Sequence, residues 1–207
     1  MTILIPAYEP DGRLLRLVRE LLDACAHPIL LVDDGSGPRY TQIFQAAELM
    51  GCHVLRHERN RGKGEALKTG ILHLIGHGEA EGVICADCDG QHAVSDILRV
   101  AQETLRRTDT TILGSRAFSG RVPLKSRIGN SLTRLVFQLS AGYRIQDTQT
   151  GLRGYPAAMM PWLCEIGGER FEYELNLLLA IKPAGWKIRE IPIQTIYDPE
   201  NHSTHFR

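Results

Sequence analysis

Apolar residues along this 207-residue chain follow two alternating rhythms. Short unbroken runs occur at Ile3-Leu4-Ile5, Ile29-Leu30-Leu31-Val32, Val54-Leu55 and Val83-Ile84, and Thr110 to Leu113 reads as a further strand. Between them, apolar residues recur at three- and four-residue spacing: Leu14, Leu15, Val18, Leu21 and Leu22, then Ala66, Leu67, Ile71, Leu72 and Ile75, then Ile97, Leu98, Val100, Ala101 and Leu105. Residues 39–50 also read as a helix. The runs suit strands covered on both faces, and the stripes suit amphipathic helices. Their alternation predicts an α/β fold, a doubly wound, mostly parallel sheet flanked by helices, over residues 1–116. Beyond residue 116 the alternation weakens. Leu132, Leu135, Val136 and Leu139 suggest one more helix, Phe171 to Ile181 another, and Trp186 to Ile191 a late edge strand. No linker, repeat or low-complexity tract interrupts the chain, so one domain over residues 1–207 is expected.

Polar residues follow the strands at once. Pro6-Ala7-Tyr8-Glu9, Asp33-Asp34-Gly35-Ser36, Asp87-Cys88-Asp89 and Gly114-Ser115-Arg116 each stand at a strand end, where open α/β sheets bind ligands. Asp87 and Asp89, two apart in an extended segment, point to one side. Such a pair suits Mg²⁺ or Mn²⁺, hard cations that take oxygen ligands and share phosphate oxygens. Gln91 adds a carbonyl oxygen on the same side if the extended geometry continues. A lone pair of this kind would read as a solvated acidic turn; here it sits among other strand-end motifs.

Charge narrows the partners. Twenty-four Lys and Arg balance 24 Asp and Glu, so no basic excess draws the chain to nucleic acid. Thr2 to Pro6 reads as a strand rather than a signal sequence, and no apolar stretch approaches the roughly 18 to 20 residues that cross a bilayer. A soluble chain is expected. Five scattered cysteines, Cys25, Cys52, Cys85, Cys88 and Cys164, fit a reducing compartment better than a disulfide framework. Cys85-x-x-Cys88 has no second such pair, and Cys85 lies inside an apolar run, so it reads as a small buried hydrophobe. His73 and His77 share a helical face and read as a surface pair.

Taken in order, these motifs resemble the family 2 inverting glycosyltransferases of GT-A fold, and most of all the branch with dolichyl-phosphate mannose synthase and bacterial polyprenyl-phosphate glycosyltransferases. The resemblance also takes in Asn60-Arg61-Gly62-Lys63-Gly64 and Asp147-Thr148-Gln149-Thr150-Gly151-Leu152-Arg153. It implies a nucleotide-binding half, residues 1–116, and an acceptor-binding half, residues 117–207. Pro6, Tyr8, Asp34 and Asp87 would line the nucleotide pocket. Asp87, Asp89 and Gln91 would hold Mg²⁺ or Mn²⁺ and the diphosphate. Lys63, Arg116 and Arg153 would lie near phosphate, with Arg127 and His205-Phe206-Arg207 as further cationic candidates. Gln149, Thr150 and Gly151 would contact sugar or acceptor. Asp89, Asp147 and Glu172 are the catalytic candidates, with Glu174 also to weigh.

Each residue has a plainer reading. Asp33-Asp34-Gly35-Ser36 also suits an Asx turn, one Asp serving the turn and the other the base. The glycines around Lys63 suit either phosphate approach or close packing of a helix start. The family's hydroxyl-transferring members commonly carry a Glu-Asp dipeptide, where this chain has Phe171-Glu172-Tyr173-Glu174. An alcohol needs a general base, whereas a phosphate acceptor is ionised already.

The expected activity is therefore transfer of a hexose from UDP-glucose or GDP-mannose to a polyprenyl or dolichyl phosphate. Its expected setting is the cytoplasm, at the membrane's cytoplasmic face, through peripheral contact or a membrane-spanning continuation or partner. The rivals are transfer to a sugar hydroxyl in cell-surface polysaccharide synthesis and a non-catalytic nucleotide-sugar-binding module. A nucleotidyltransferase is disfavoured because Pro6-Ala7-Tyr8-Glu9-Pro10 stands where its glycine-rich phosphate loop would be.

Overall fold

The computed structural model describes residues 1–79, 81–116 and 144–194. Arg127, the stripe from Leu132 to Leu139 and the His205-Phe206-Arg207 tail lie outside the described residues. The strands are β1 (Thr2–Ala7), β2 (Ile29–Asp33), β3 (His53–Arg56), β4 (Gly82–Cys85), β5 (Thr110–Arg116), β6 (Arg153–Pro156) and β7 (Lys187–Ile193). The helices are α1 (Gly12–Ala24), α2 (Thr41–Leu49), α3 (Lys63–Gly76), α4 (Val94–Leu105), α5 (Met160–Glu165) and α6 (Glu172–Ile181).

One seven-stranded sheet runs in the order β3-β2-β1-β4-β6-β5-β7. β6 is antiparallel to both β4 and β5, and β7 closes the edge parallel to β5. The sheet is thus mostly parallel, and its C-terminal strands belong to the same layer as its N-terminal ones. Strand alternation divides the apolar residues between two faces. Ile3, Ile5, Leu31 and Ile84 pack with α1, α2 and α4. Leu4, Leu30, Val32, Val83 and Cys85 pack with α3, α5 and α6. Continuous apolar strands are needed because both faces are covered.

β6 is the element that the apolar pattern does not reveal. Its sequence, Arg-Gly-Tyr-Pro, carries no hydrophobic run, yet all four residues are buried. α5, six residues long, is too short for a helical stripe. Cys85 is buried, as its setting in an apolar run implies, and the five cysteines are free thiols. Among the described residues no helix is long and apolar enough to cross a membrane.

Candidate active site

A cavity of about 720 Å³ opens at the carboxyl ends of β1, β2 and β4. Pro6, Tyr8, Asp34, Lys63, Asp87, Asp89 and Gln149 line it, as does Glu174, the carboxylate left to weigh, together with three residues absent from the expected set: Arg13, Arg170 and Phe171. The walls come from both halves of the chain. The 170–174 stretch was marked only by its two glutamates, and nothing in its spacing shows that it folds back against the 60–62 loop and the start of α3.

The acidic pair sits where β4 ends, but not on an extended segment. Residues 88–90 form a turn, and the Gln91 amide donates to Asp89 Oδ1 at 3.0 Å. The extended geometry that would have aligned the Gln91 side chain with the pair is broken, and Gln91 does not line the cavity. Asp89 retains Oδ2 without a hydrogen bond among the described residues.

Asp87 is gripped from two sides. Lys63 Nζ donates to its Oδ1 at 2.7 Å, and His92 Nε2 lies 3.3 Å from its Oδ2. Gly151 packs so closely that an added Cβ would collide with both carboxylate oxygens. Burial favours the protonated acid, but Lys63 and His92 outweigh it and hold Asp87 well below the usual carboxylate range. Lys63 Nζ also lies 2.8 Å from Glu174 Oε2. Burial disfavours the ammonium, and the two carboxylates reverse that, raising Lys63 above the ordinary lysine value. The Cys88 thiol between the two aspartates is pushed up to about 12 by burial and by the neighbouring carboxylates.

Among the described residues, no three His, Cys, Asp or Glu side chains form a closed metal cage. One or two carboxylates opening on a cavity instead suit a hard cation completed by ligand phosphates and water. Asp87 and Asp89 are a donor set of that kind.

Asp34 lines the cavity but is largely committed to structure. His57 Nδ1 lies 2.7 Å from Oδ1, the Arg61 amide donates to Oδ1 at 2.9 Å, and the Gly62 amide donates to Oδ2 at 2.8 Å. Its carboxylate holds the 57–62 loop in place. Asp33 makes the Asx turn, its Oδ1 accepting from the Ser36 amide at 2.9 Å. The glycines beside Lys63 serve close packing: a Cβ on Gly64 would meet Tyr173 Cβ at 2.6 Å.

Several expected site residues lie elsewhere. Arg153 is 1 % exposed and donates to the carbonyls of Thr150, Glu174 and Thr148; as an interior brace it is not available to phosphate. Asp147 is 0 % exposed and accepts from Arg116 Nε at 2.6 Å and Nη2 at 3.2 Å, so it is a buried ion-pair partner rather than a poised base. Arg116 holds Asp147 and does not line the cavity. Glu172 Oε1 accepts from the amides of Glu169 and Arg170 at 3.0 and 3.1 Å. These amide bonds lower its pKa, the opposite of what a general base requires. Thr150 is buried, with Oγ1 accepting from the Leu152 amide at 3.3 Å.

Comparison with known proteins places this arrangement. The family model for glycosyl transferase family 2 matches residues 2–161. A UDP-N-acetylglucosamine–dolichyl-phosphate N-acetylglucosaminyltransferase of Methanococcus voltae is 29% identical over 214 residues, covering 94% of this chain and 85% of that protein. A dolichyl-phosphate beta-glucosyltransferase of Saccharomyces cerevisiae is 30% identical, covering 93% and 66%. Among solved structures, glucosyl-3-phosphoglycerate synthase from Mycobacterium tuberculosis, crystallised with Mn²⁺, UDP and glucosyl-3-phosphoglycerate, superposes with a TM-score of 0.72 at 14% identity, covering 96% of this chain and 72% of that one. That likeness shows a shared GT-A fold. The chain is a member of glycosyl transferase family 2.

Proposed function

We propose that this protein is a metal-dependent, inverting hexosyltransferase that moves a sugar from a nucleotide donor, UDP-glucose or GDP-mannose, to a polyprenyl phosphate. The observation that carries the reading is the joint presence of Asp87, Asp89 and Lys63 on one cavity at the sheet's carboxyl edge. Tyr8 and Pro6 wall the nucleoside end, while Asp87 and Asp89 would hold Mg²⁺ or Mn²⁺. When bound, the cation neutralises charge that builds on the departing nucleoside diphosphate. Lys63 supplies a further positive charge on the same side.

The acceptor's phosphate oxygen attacks the anomeric carbon from the face opposite the diphosphate. The new C–O bond forms as the bond to the diphosphate breaks, the electron pair leaves with the nucleotide, and the configuration inverts. No proton need be removed, because the acceptor oxygen is ionised at neutral pH. The engagement of Asp147 with Arg116 and of Glu172 with two amides supports this acceptor over a hydroxyl. So do the dolichyl-phosphate acceptors in the names of two relatives. Because the acceptor is a lipid, the reaction belongs at the cytoplasmic face of a membrane. Residues 1–116 supply most of the donor site, and residues 117–207 the acceptor side.

The test is sugar transfer from UDP-glucose, UDP-N-acetylglucosamine and GDP-mannose to a short polyprenyl phosphate, with Mn²⁺ or Mg²⁺, read by mass spectrometry. Transfer to lipid phosphate that stops in EDTA and in Asp89→Ala bears the reading out. Transfer only to sugar hydroxyls would overturn the acceptor assignment.

A further inference from the structure

The Lys63 ammonium stands between two carboxylates, Asp87 Oδ1 at 2.7 Å and Glu174 Oε2 at 2.8 Å. The three side chains arise from three separate parts of the fold: the first residue of α3, the turn after β4 and the first turn of α6. All are largely shielded, with side-chain exposures of 17 % for Lys63, 11 % for Glu174 and 30 % for Asp87. The Lys63 charge also lies 5.9 Å from the centre of the Phe171 ring, at the cavity mouth. Glu174 is anchored from behind, where Arg153 Nε lies 3.8 Å from its Oε1. An ammonium therefore sits on one of the two carboxylates assigned to the divalent cation, with a second anionic partner already in contact.

We infer that Lys63 is an exchangeable internal counter-ion for Asp87, and that Glu174 is the positioning residue that keeps hold of it when the divalent cation and the donor diphosphate enter. This deepens the preceding proposal and rests on its assignment of Asp87 and Asp89 to the cation. A buried carboxylate without a counter-charge is costly, so Asp87 needs Lys63 in the free protein. When the site fills, the ammonium moves off Asp87 toward the diphosphate, and Glu174 shares its charge throughout. Lys63 resists cation entry at an empty site and favours the nucleotide at a full one. Cation and nucleoside diphosphate are thereby coupled, each promoting binding of the other.

Opposed signs make this testable. Binding of Mn²⁺ alone is followed by electron paramagnetic resonance, and binding of UDP and of GDP by calorimetry at saturating Mn²⁺. Lys63→Met should bind Mn²⁺ alone about tenfold more tightly and the better of the two nucleotides about tenfold more weakly. Glu174→Gln leaves the ammonium with Asp87 as its sole carboxylate partner and should bind Mn²⁺ alone several-fold more weakly. Lys68→Met removes a positive charge farther along α3, at a residue that pairs with Glu65 rather than Asp87, and should leave both affinities within about twofold. Cooperative melting of each variant checks folding. Weaker Mn²⁺ binding in Lys63→Met and Glu174→Gln alike, or equal tightening in Lys68→Met, would overturn the exchange. So would unchanged Mn²⁺ affinity in Lys63→Met while Asp89→Asn loses Mn²⁺, and the cation assignment would then survive. No Mn²⁺ uptake by the native protein, with or without UDP or GDP, would remove the cation assignment and this inference together.

Discussion

Three donors converge on the Asp34 carboxylate, from His57, Arg61 and Gly62. Removing it strands two backbone amides and an imidazole, and each buried unpaired group costs about 1 to 3 kcal/mol. Asp34→Ala should therefore lower unfolding free energy by roughly 3 kcal/mol or more, with Asp34→Asn intermediate because one acceptor oxygen remains. Urea denaturation measures both, and a stability equal to the native protein's would show that the loop does not depend on this carboxylate. Gly151→Ala tests a different kind of dependence. Its new methyl would displace Asp87, and a misplacement of about 1 Å in a reacting assembly costs about 10²-fold in rate. Turnover should drop by that order while the melting temperature changes by only a few degrees. The chemical type of both sites was legible in the sequence, since acidic and glycine-bearing motifs close successive strands. The division of labour was not: whether a carboxylate faces a ligand or a neighbouring amide depends on loop contacts between residues far apart in the chain.

At the scale of elements, the first turns of α3 and α6 form a unit. The Glu65 amide donates to the Glu169 carbonyl at 2.9 Å, and Gly64 brings α3 against the backbone and Cβ of the 169–173 stretch. A side chain there must push backbone aside rather than a flexible tip, so Gly64→Ala should cost about 1 to 3 kcal/mol. It should also weaken nucleoside diphosphate binding, because Lys63 and Glu174 are carried by the two turns that separate. Thermal denaturation and calorimetry read the two effects, and loss of neither would show that the contact has slack. The helices with full apolar stripes, α1 and α4, and the buried strands β1, β2 and β4 are visible as periodicity. β6 is not. Its residues are buried by neighbours on both sides, and a four-residue strand with Arg and Gly has too few apolar positions to carry a period.

For the molecule as a whole, buried thiols set an alkaline limit. Burial pushes Cys52 up to about 11 and Cys85 up to about 12 from an ordinary value of 9.0. These groups keep their protons in the folded state after the unfolded chain has lost them. Their contribution is fully present below about pH 9 and is lost as pH rises from there through 11 to 12. The loss is on the order of 1 kcal/mol per pH unit for each thiol. Urea midpoints should decline above pH 9, and Cys52→Ala should flatten part of that decline; an identical slope in the variant would show that Cys52 titrates normally.

Local patterning alone determined that strands and helices alternate, that the sheet is covered on both faces, and that acidic motifs gather at one rim, because each of these follows from side-chain period and strand-end position. Tertiary structure alone decided which charges meet. Lys63, Asp87 and Glu174 lie up to 111 positions apart, and no periodicity relates them. Their contact arises because α6 returns across α3 and β6 inserts between β4 and β5, and Coulomb interactions depend on distance through space, not along the chain.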